Sequence, residues 1–275
     1  MINNILKLLS LSILTSLLLV VGCKKDEDPV PEPMKVISTF EFTLDNVTGT
    51  TTFNYNADGL LESLDFVGPL DSVNIVLTFS NGLLTEASGE GFRSEYSYDA
   101  NGNLLEILDY DDNNGDGIIG LYNKYTYTYN LSNQVTREDE VYYYEQDIPD
   151  SWSDFTLFEY ANTESKNPIS GENYVEINSD GGTLSSTIAY TFDDKVNPLY
   201  KAGVWPFLVS NDFTTNFSPN NLVNANITVN AVEESNMSVN NEYDANNDLI
   251  KSTFTISRPG SADYIYSTSI TYKEI

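Results

Sequence analysis

The pattern that most constrains this chain is a recurring one: aromatic-x-aromatic, then Asn or Asp, two or three turn residues, and apolar residues opening a return segment. Phe53-Asn54-Tyr55-Asn56-Ala57-Asp58-Gly59-Leu60-Leu61 is one copy, and Tyr96-Ser97-Tyr98-Asp99-Ala100-Asn101-Gly102-Asn103-Leu104 is another. Tyr127-Thr128-Tyr129-Asn130-Leu131-Ser132-Asn133-Gln134-Val135 and the degenerate Glu242-Tyr243-Asp244-Ala245-Asn246-Asn247-Asp248-Leu249-Ile250 follow it more loosely. Alternate aromatics place rings on one face of a strand, the Asn or Asp caps the turn, and Gly or Asn supplies the positive φ that a tight hairpin requires. Each copy is a hairpin that cannot bury its own face and must pack on its neighbours. Period-two alternation in Ser38–Leu44, where Phe40, Phe42 and Leu44 share a face, and a further Asn-Gly turn at Asn81-Gly82 extend the reading to the rest of the body.

These copies resemble the Tyr-Asp repeats of bacterial cell-surface proteins, which form long β-meanders. The segment Thr191-Phe192-Asp193-Asp194-Lys195-Val196-Asn197-Pro198-Leu199-Tyr200 is similar to one found in Bacteroidota lipoproteins that carry such hairpins. The resemblance implies a fold and no reaction. The expected class is all-β: a long antiparallel β-meander over residues 37–275, curling into an open barrel or shell. Copies spaced from about 20 to about 50 residues apart argue against a strict solenoid. Asp193-Asp194 is expected to end a strand, Asn197-Pro198 forbids helix at Asn197, and the stretch from Pro198 to Leu208 reads as a short helix or, preferably, an irregular lid.

Ahead of this body, Lys7 and the amino terminus precede an apolar stretch from Leu8 to Val21. That is shorter than the roughly 20 residues of a membrane-spanning helix, so residues 1–22 read as a signal peptide with a helical core. Val20-Val21-Gly22-Cys23 resembles the lipobox of bacterial lipoproteins, which implies lipid on the Cys23 sulfur and a membrane attachment there. Cys23 is the single cysteine of the chain, so no internal disulfide exists. Residues 23–36 carry Lys24-Lys25-Asp26-Glu27-Asp28 and three alternating prolines, a composition that stays extended as a disordered tether. The acidic run after the cysteine resembles the export tag of surface-exposed lipoproteins in the Bacteroidota, implying display on the outer membrane.

The chain holds 41 acidic against 13 basic side chains, a formal charge of −28, and removing the leader takes away only Lys7. No basic cluster is available for phosphates, which excludes a nucleic-acid partner. Histidine is absent, and the one cysteine is assigned to lipid, so Ser-His-Asp, Cys-His and histidine-zinc chemistries are excluded. A non-enzyme is expected. The remaining catalytic option is a carboxylate pair such as Glu138 and Glu140, two apart on a strand and hence on one face, in the manner of a glycosidase.

One motif points to a metal. Asp112-Asn113-Asn114-Gly115-Asp116-Gly117-Ile118-Ile119 has the spacing of a calcium loop: Asp112, Asn114 and Asp116 as side-chain ligands, Gly117 for the turn, and the Ile118 carbonyl as a fourth oxygen. The acid expected at the twelfth position is replaced by Asn123, leaving Asp109, Asp111 or an acid from another strand to complete the cage. The alternative is a polar hairpin loop without an ion.

Aromatics concentrate between Tyr142 and Tyr160, and Trp152, Tyr143 and Trp205 are the candidate stacking residues for a ligand. Trp152, between Pro149-Asp150-Ser151 and Ser153-Asp154, reads as a loop residue. Two functional classes stand side by side: a surface binding or adhesion lipoprotein recognising glycan, peptide or an envelope protein, and a structural accessory of an envelope complex. A carbohydrate-active enzyme is a distant third.

Overall fold

The computed structural model describes residues 34–275 apart from 46, 70–71, 113–116, 145–147, 178–180, 203–217 and 230–231. The side chains of 144–152 and 230–234 lie outside the described set as well. Sixteen strands follow one another: β1 (Lys35–Leu44), β2 (Val47–Tyr55), β3 (Leu61–Val67), β4 (Ser72–Ser80), β5 (Leu83–Gly89), β6 (Phe92–Tyr98), β7 (Leu104–Asp111) and β8 (Gly120–Tyr129). The second half comprises β9 (Val135–Tyr144), β10 (Ile148–Glu159), β11 (Ser170–Ile177), β12 (Thr183–Val196), β13 (Asn220–Val229), β14 (Val232–Tyr243), β15 (Leu249–Ser257) and β16 (Tyr264–Glu274). Each strand pairs antiparallel with its sequence neighbour, and β1 lies beside β16, so the meander is a closed barrel. Thr39 and Thr271 share a hydroxyl hydrogen bond of 2.7 Å across that seam. Closure leaves no strand edge exposed for pairing with another chain.

The repeated turns share one geometry. In each, the Asn or Asp side-chain oxygen accepts two backbone N–H groups: Asn56 from Asp58 and Leu60, Asp99 from Asn101 and Asn103, Asn130 from Ser132 and Gln134, and Asp244 from Asn246 and Asp248. The third residue after it takes positive φ, at Gly59 (76°), Gly102 (83°), Asn133 (57°) and Asn247 (63°). Glycine and asparagine occupy this place because other side chains are penalised there.

The tyrosine before the turn has a second function, which Tyr272 near the end of β16 shares. Tyr55 donates its hydroxyl to the Ile37 carbonyl at 2.9 Å, and Tyr98, Tyr129 and Tyr272 donate to Leu84, Leu104 and Leu249, each at 2.8 Å. Three of these acceptors, on Leu84, Leu104 and Leu249, lie at the start of a return strand, so the hydroxyls stitch successive hairpins together. Tyr243 departs from the rule: its hydroxyl bonds the Asp193 carboxylate.

Alternation along the strands separates two faces. Ile37, Phe53, Leu64, Ile75, Leu77, Leu84, Ala87, Tyr96, Leu104, Ile107, Tyr127, Val135, Phe158, Leu249 and Ile270 turn inward and form one buried cluster. Many of their outward neighbours are polar: Asn54 bonds Asp65, which accepts from Asn74 across β2, β3 and β4, and Thr126, Thr128, Thr253, Thr255, Ser267 and Ser269 continue the surface, with Val67, Val76, Leu105 and Ile250 exposed among them.

The expected antiparallel meander is present, and it curls fully into a closed barrel. Three other sequence-based expectations are corrected. Trp152 is not in a loop: β10 runs through it, paired with Ile177 of β11. Asp193-Asp194 does not end a strand, because β12 continues to Val196 with register shifts around Phe192. Asp193 accepts the backbone N–H of Lys195 and of Asn221, which turns a strand end into a bulge. Beyond it, Asn197 stays extended and caps a single helical turn, α1 (Pro198–Lys201), its side chain accepting from Leu199 and Tyr200. A helical turn stands where the irregular lid was preferred; residues 203–217 lie outside the described set.

Candidate functional site

On β8 to β11 the inward face changes character. Strand register lines up three rungs: Asn123 beside Tyr142; Tyr125, Glu140, Asp154 and Val175; and Tyr127, Glu138, Thr156 and Asn173. Asp109 sits next to Asn123 on β7 and bonds Ser94 of β6. Mostly apolar residues fill the equivalent inward positions of β2 to β5, while Asp193, Asn221, Asn241, Tyr243 and Ser252 form a separate hydrogen-bonded polar network on β12 to β15.

These carboxylates are closely coupled to phenols. Asn123 donates its amide to Glu140 at 3.2 Å and to the Tyr125 hydroxyl at 3.1 Å, and the Tyr142 hydroxyl bonds both Glu140 and Asp154. Burial pushes the Asp109, Glu140 and Asp154 carboxyls above their ordinary values, and the phenol groups partly offset this by hydrogen bonding to Glu140 and Asp154. Burial likewise raises the tyrosines around them, Tyr142 included. Glu140 faces Asp154 directly across the β9–β10 pair, an arrangement that repels when both are ionised. Asn123 is 6% exposed, yet its Oδ1 has no hydrogen-bond partner, and neither does the Oδ1 of Asp154.

A cavity of about 430 Å³ opens against this sector, lined by Glu138, Glu140, Asp154, Tyr142, Thr156, Phe158, Asn173 and Tyr190 among others, and by no lysine or arginine. Its size is that of a small-molecule site, typically about 300–1,000 Å³. The pair Glu138 and Glu140, singled out by their spacing, are thus brought together here. Of the stacking candidates, Tyr143 alone has a described side chain, and it stands apart from the pair. Tyr143 alternates with Tyr142 and lies on the opposite face, close to Lys124, which pairs with Glu106 on the outer surface. The side chain of Trp152 and all of Trp205 lie outside the described residues.

Of the calcium loop, Asn114 and Asp116 lie outside the described residues. Asp112 accepts the Gly117 N–H at 3.0 Å, Gly117 has the positive φ of 82° that the turn needs, and Ile118 is exposed. Asp109, a proposed completing ligand, is instead buried and bonded to Ser94. Among the described residues no three acidic side chains converge closely enough to hold a metal ion. Cys23 and the tether to residue 33 also lie outside the described set.

Sequence reasoning missed Asp109, Asn123, Asp154 and Tyr190 as partners of the pair. One signal was available: an acid at successive inward positions of β9, where the neighbouring strand carries aromatics.

No protein-family model matches the chain, and no curated protein is similar to it in sequence. Among solved structures, a porin-like protein from Bacteroides uniformis is similar over 86% of this chain and 98% of its own, at 13% identity and a TM-score of 0.53. A porin-like protein from Bacteroides vulgatus covers 87% of this chain and 99% of its own at 11% identity and a TM-score of 0.42. The TcdB2-TccC3 structure matches 79% of this chain over 12% of its own length, at 13% identity and a TM-score of 0.34. At such identities the first of these likenesses establishes the fold alone.

Proposed function

We propose that this chain is a lipid-anchored protein of the cell envelope whose barrel stands in water and binds a small ligand in its lumen, without catalysing a reaction. The observation that carries the reading is the chamber: a cavity of about 430 Å³ walled largely by carboxylates and phenols, with no lysine or arginine in its lining. The leader, the Val20-Val21-Gly22-Cys23 box and the prolines up to Pro33 support attachment through lipid and a spacer. The porin-like neighbours are consistent with an envelope setting.

The outward face supports a barrel held beside the bilayer. A membrane-spanning barrel presents an apolar band about 25 Å tall to the lipid. Here Arg137 pairs with Asp139 along β9, Arg93 with Glu95 along β6, and Lys124 of β8 with Glu106 of β7, all on outward positions. Mass spectrometry of native material tests the anchor: a diacylated amino-terminal Cys23 peptide is expected, and a bare sulfur or a retained leader would remove it.

A further inference from the structure

Every unsatisfied oxygen in the acidic sector is an acceptor. Asn123 is more than nine-tenths buried, gives its N–H group to Glu140, and leaves its Oδ1 without a donor; the Oδ1 of Asp154 is in the same condition. The groups facing Glu140 are Tyr125, Tyr142, Asn123, Asp154 and Asp109, none of them cationic. Two opposed carboxylates in the cavity wall, one of them with an unpaired oxygen and neither facing a cation, call for a ligand that is positively charged and rich in donors. An ammonium group has three donors and no acceptor.

We infer that the lumenal chamber takes a small organic ammonium, a protonated amine on an apolar or hydroxylated body, with Glu140 and Asp154 as its charge partners. The proposal rests on the reading of the chamber as a binding site and names what enters it. Tyr142, Phe158 and Tyr190 in the lining offer ring faces, which attract cations as well as apolar groups. A bare metal ion fits less well, since the cavity is far larger than an ion and no three acidic side chains among the described residues converge on one point. Local rules broken with only partial compensation, here like charges set opposite each other, are characteristic of functional positions.

The test is calorimetric titration of the purified full chain with phenethylammonium chloride and with spermidine, against phenethyl alcohol and calcium chloride. Binding of at least one ammonium is expected, with the alcohol at least tenfold weaker. Glu140→Gln and Asp154→Asn should each weaken the ammonium at least tenfold, while Glu62→Gln, on an exposed position, leaves it unchanged. Because both chamber variants remove a buried charge without changing shape, they are expected to melt no lower than the parent, which separates lost binding from lost folding. Equal affinity for the alcohol, equal affinity in Glu140→Gln, calcium binding in place of the ammonium, or no binding of either ammonium would overturn the inference. A neutral ligand that binds in the chamber and is unaffected by Glu140→Gln would overturn the charge assignment and leave the binding role standing.

Discussion

Glu140 concentrates the energetic tension of the barrel interior. Its carboxyl is held above its ordinary value of 4.5, first by burial, with Asp154 and Asp109 adding repulsion against the hydrogen bonds from Tyr125 and Tyr142. An acid whose folded value is raised binds its proton more tightly in the folded state, so stability falls as pH climbs from the ordinary value through the folded one. Asp65, Asp99 and Asp244 act in the opposite sense. Hydrogen bonds from Asn74 and from Asn103 hold the first two carboxyls below their ordinary values, and the bond from Lys35 does so for Asp244. Their contribution is lost as pH falls. The whole-protein profile mixes the two, and a comparison isolates the first: Glu140→Gln is expected to melt higher than the parent at pH 7, with the gap closing as the buffer is taken down toward pH 4.5. A gap that stays constant, or widens in acid, would show that Glu140 carries no burial penalty.

Hairpins set the stability at the next scale, and the Asp99 loop shows how. Tyr98 gives its hydroxyl to the carbonyl of Leu84, a residue 1% exposed, and burial raises the phenol to about 12. Tyr98→Phe leaves that carbonyl without its donor, which costs about 1–3 kcal/mol. Gly102→Ala has open space, its nearest neighbour being Leu83 at 3.9 Å, so its cost is the left-handed backbone alone, about 1–2 kcal/mol. Urea denaturation midpoints check both, and a neutral Gly102→Ala would mean that the turn relaxes.

These loops were legible in the sequence because the motif is local: turn acid, turn glycine and aromatic pair fall within nine residues, as in Phe53 to Leu61. The hydroxyl stitching was not, since Tyr129 reaches back 25 residues to Leu104 and Tyr98 only 14 to Leu84, distances that strand lengths set. Barrel closure was equally hidden, because β1 meets β16 through residues as far apart as Thr39 and Thr271 with no motif between them. At the site, Glu138 and Glu140 were readable from period-two spacing on β9. Asp154 was not: the register shift between Pro149 and Ser153 decides which β9 residue it meets, and only the pairing shows Asp154 opposite Glu140.

For the whole molecule, the decisive property is where charge sits relative to the barrel wall. A Lys or Arg facing lipid near the bilayer midplane costs about 2–4 kcal/mol, and Asp or Glu somewhat less. Arg93, Glu95, Glu106, Lys124, Arg137 and Asp139 all stand on outward positions of β6 to β9 alone. Placing that surface in hydrocarbon costs on the order of 10 kcal/mol, comparable with the roughly 5–15 kcal/mol net stability of a domain. Buried apolar clusters inside the barrel already supply the driving force that a lipid-facing band would otherwise provide. The Cys23→Ser full chain, which cannot be lipidated at that sulfur, is therefore expected to purify without detergent as a monodisperse species and to leave planar bilayers non-conducting. A requirement for detergent, or ion conductance on adding the protein to a bilayer, would place the wall in the membrane and the chamber in a pore.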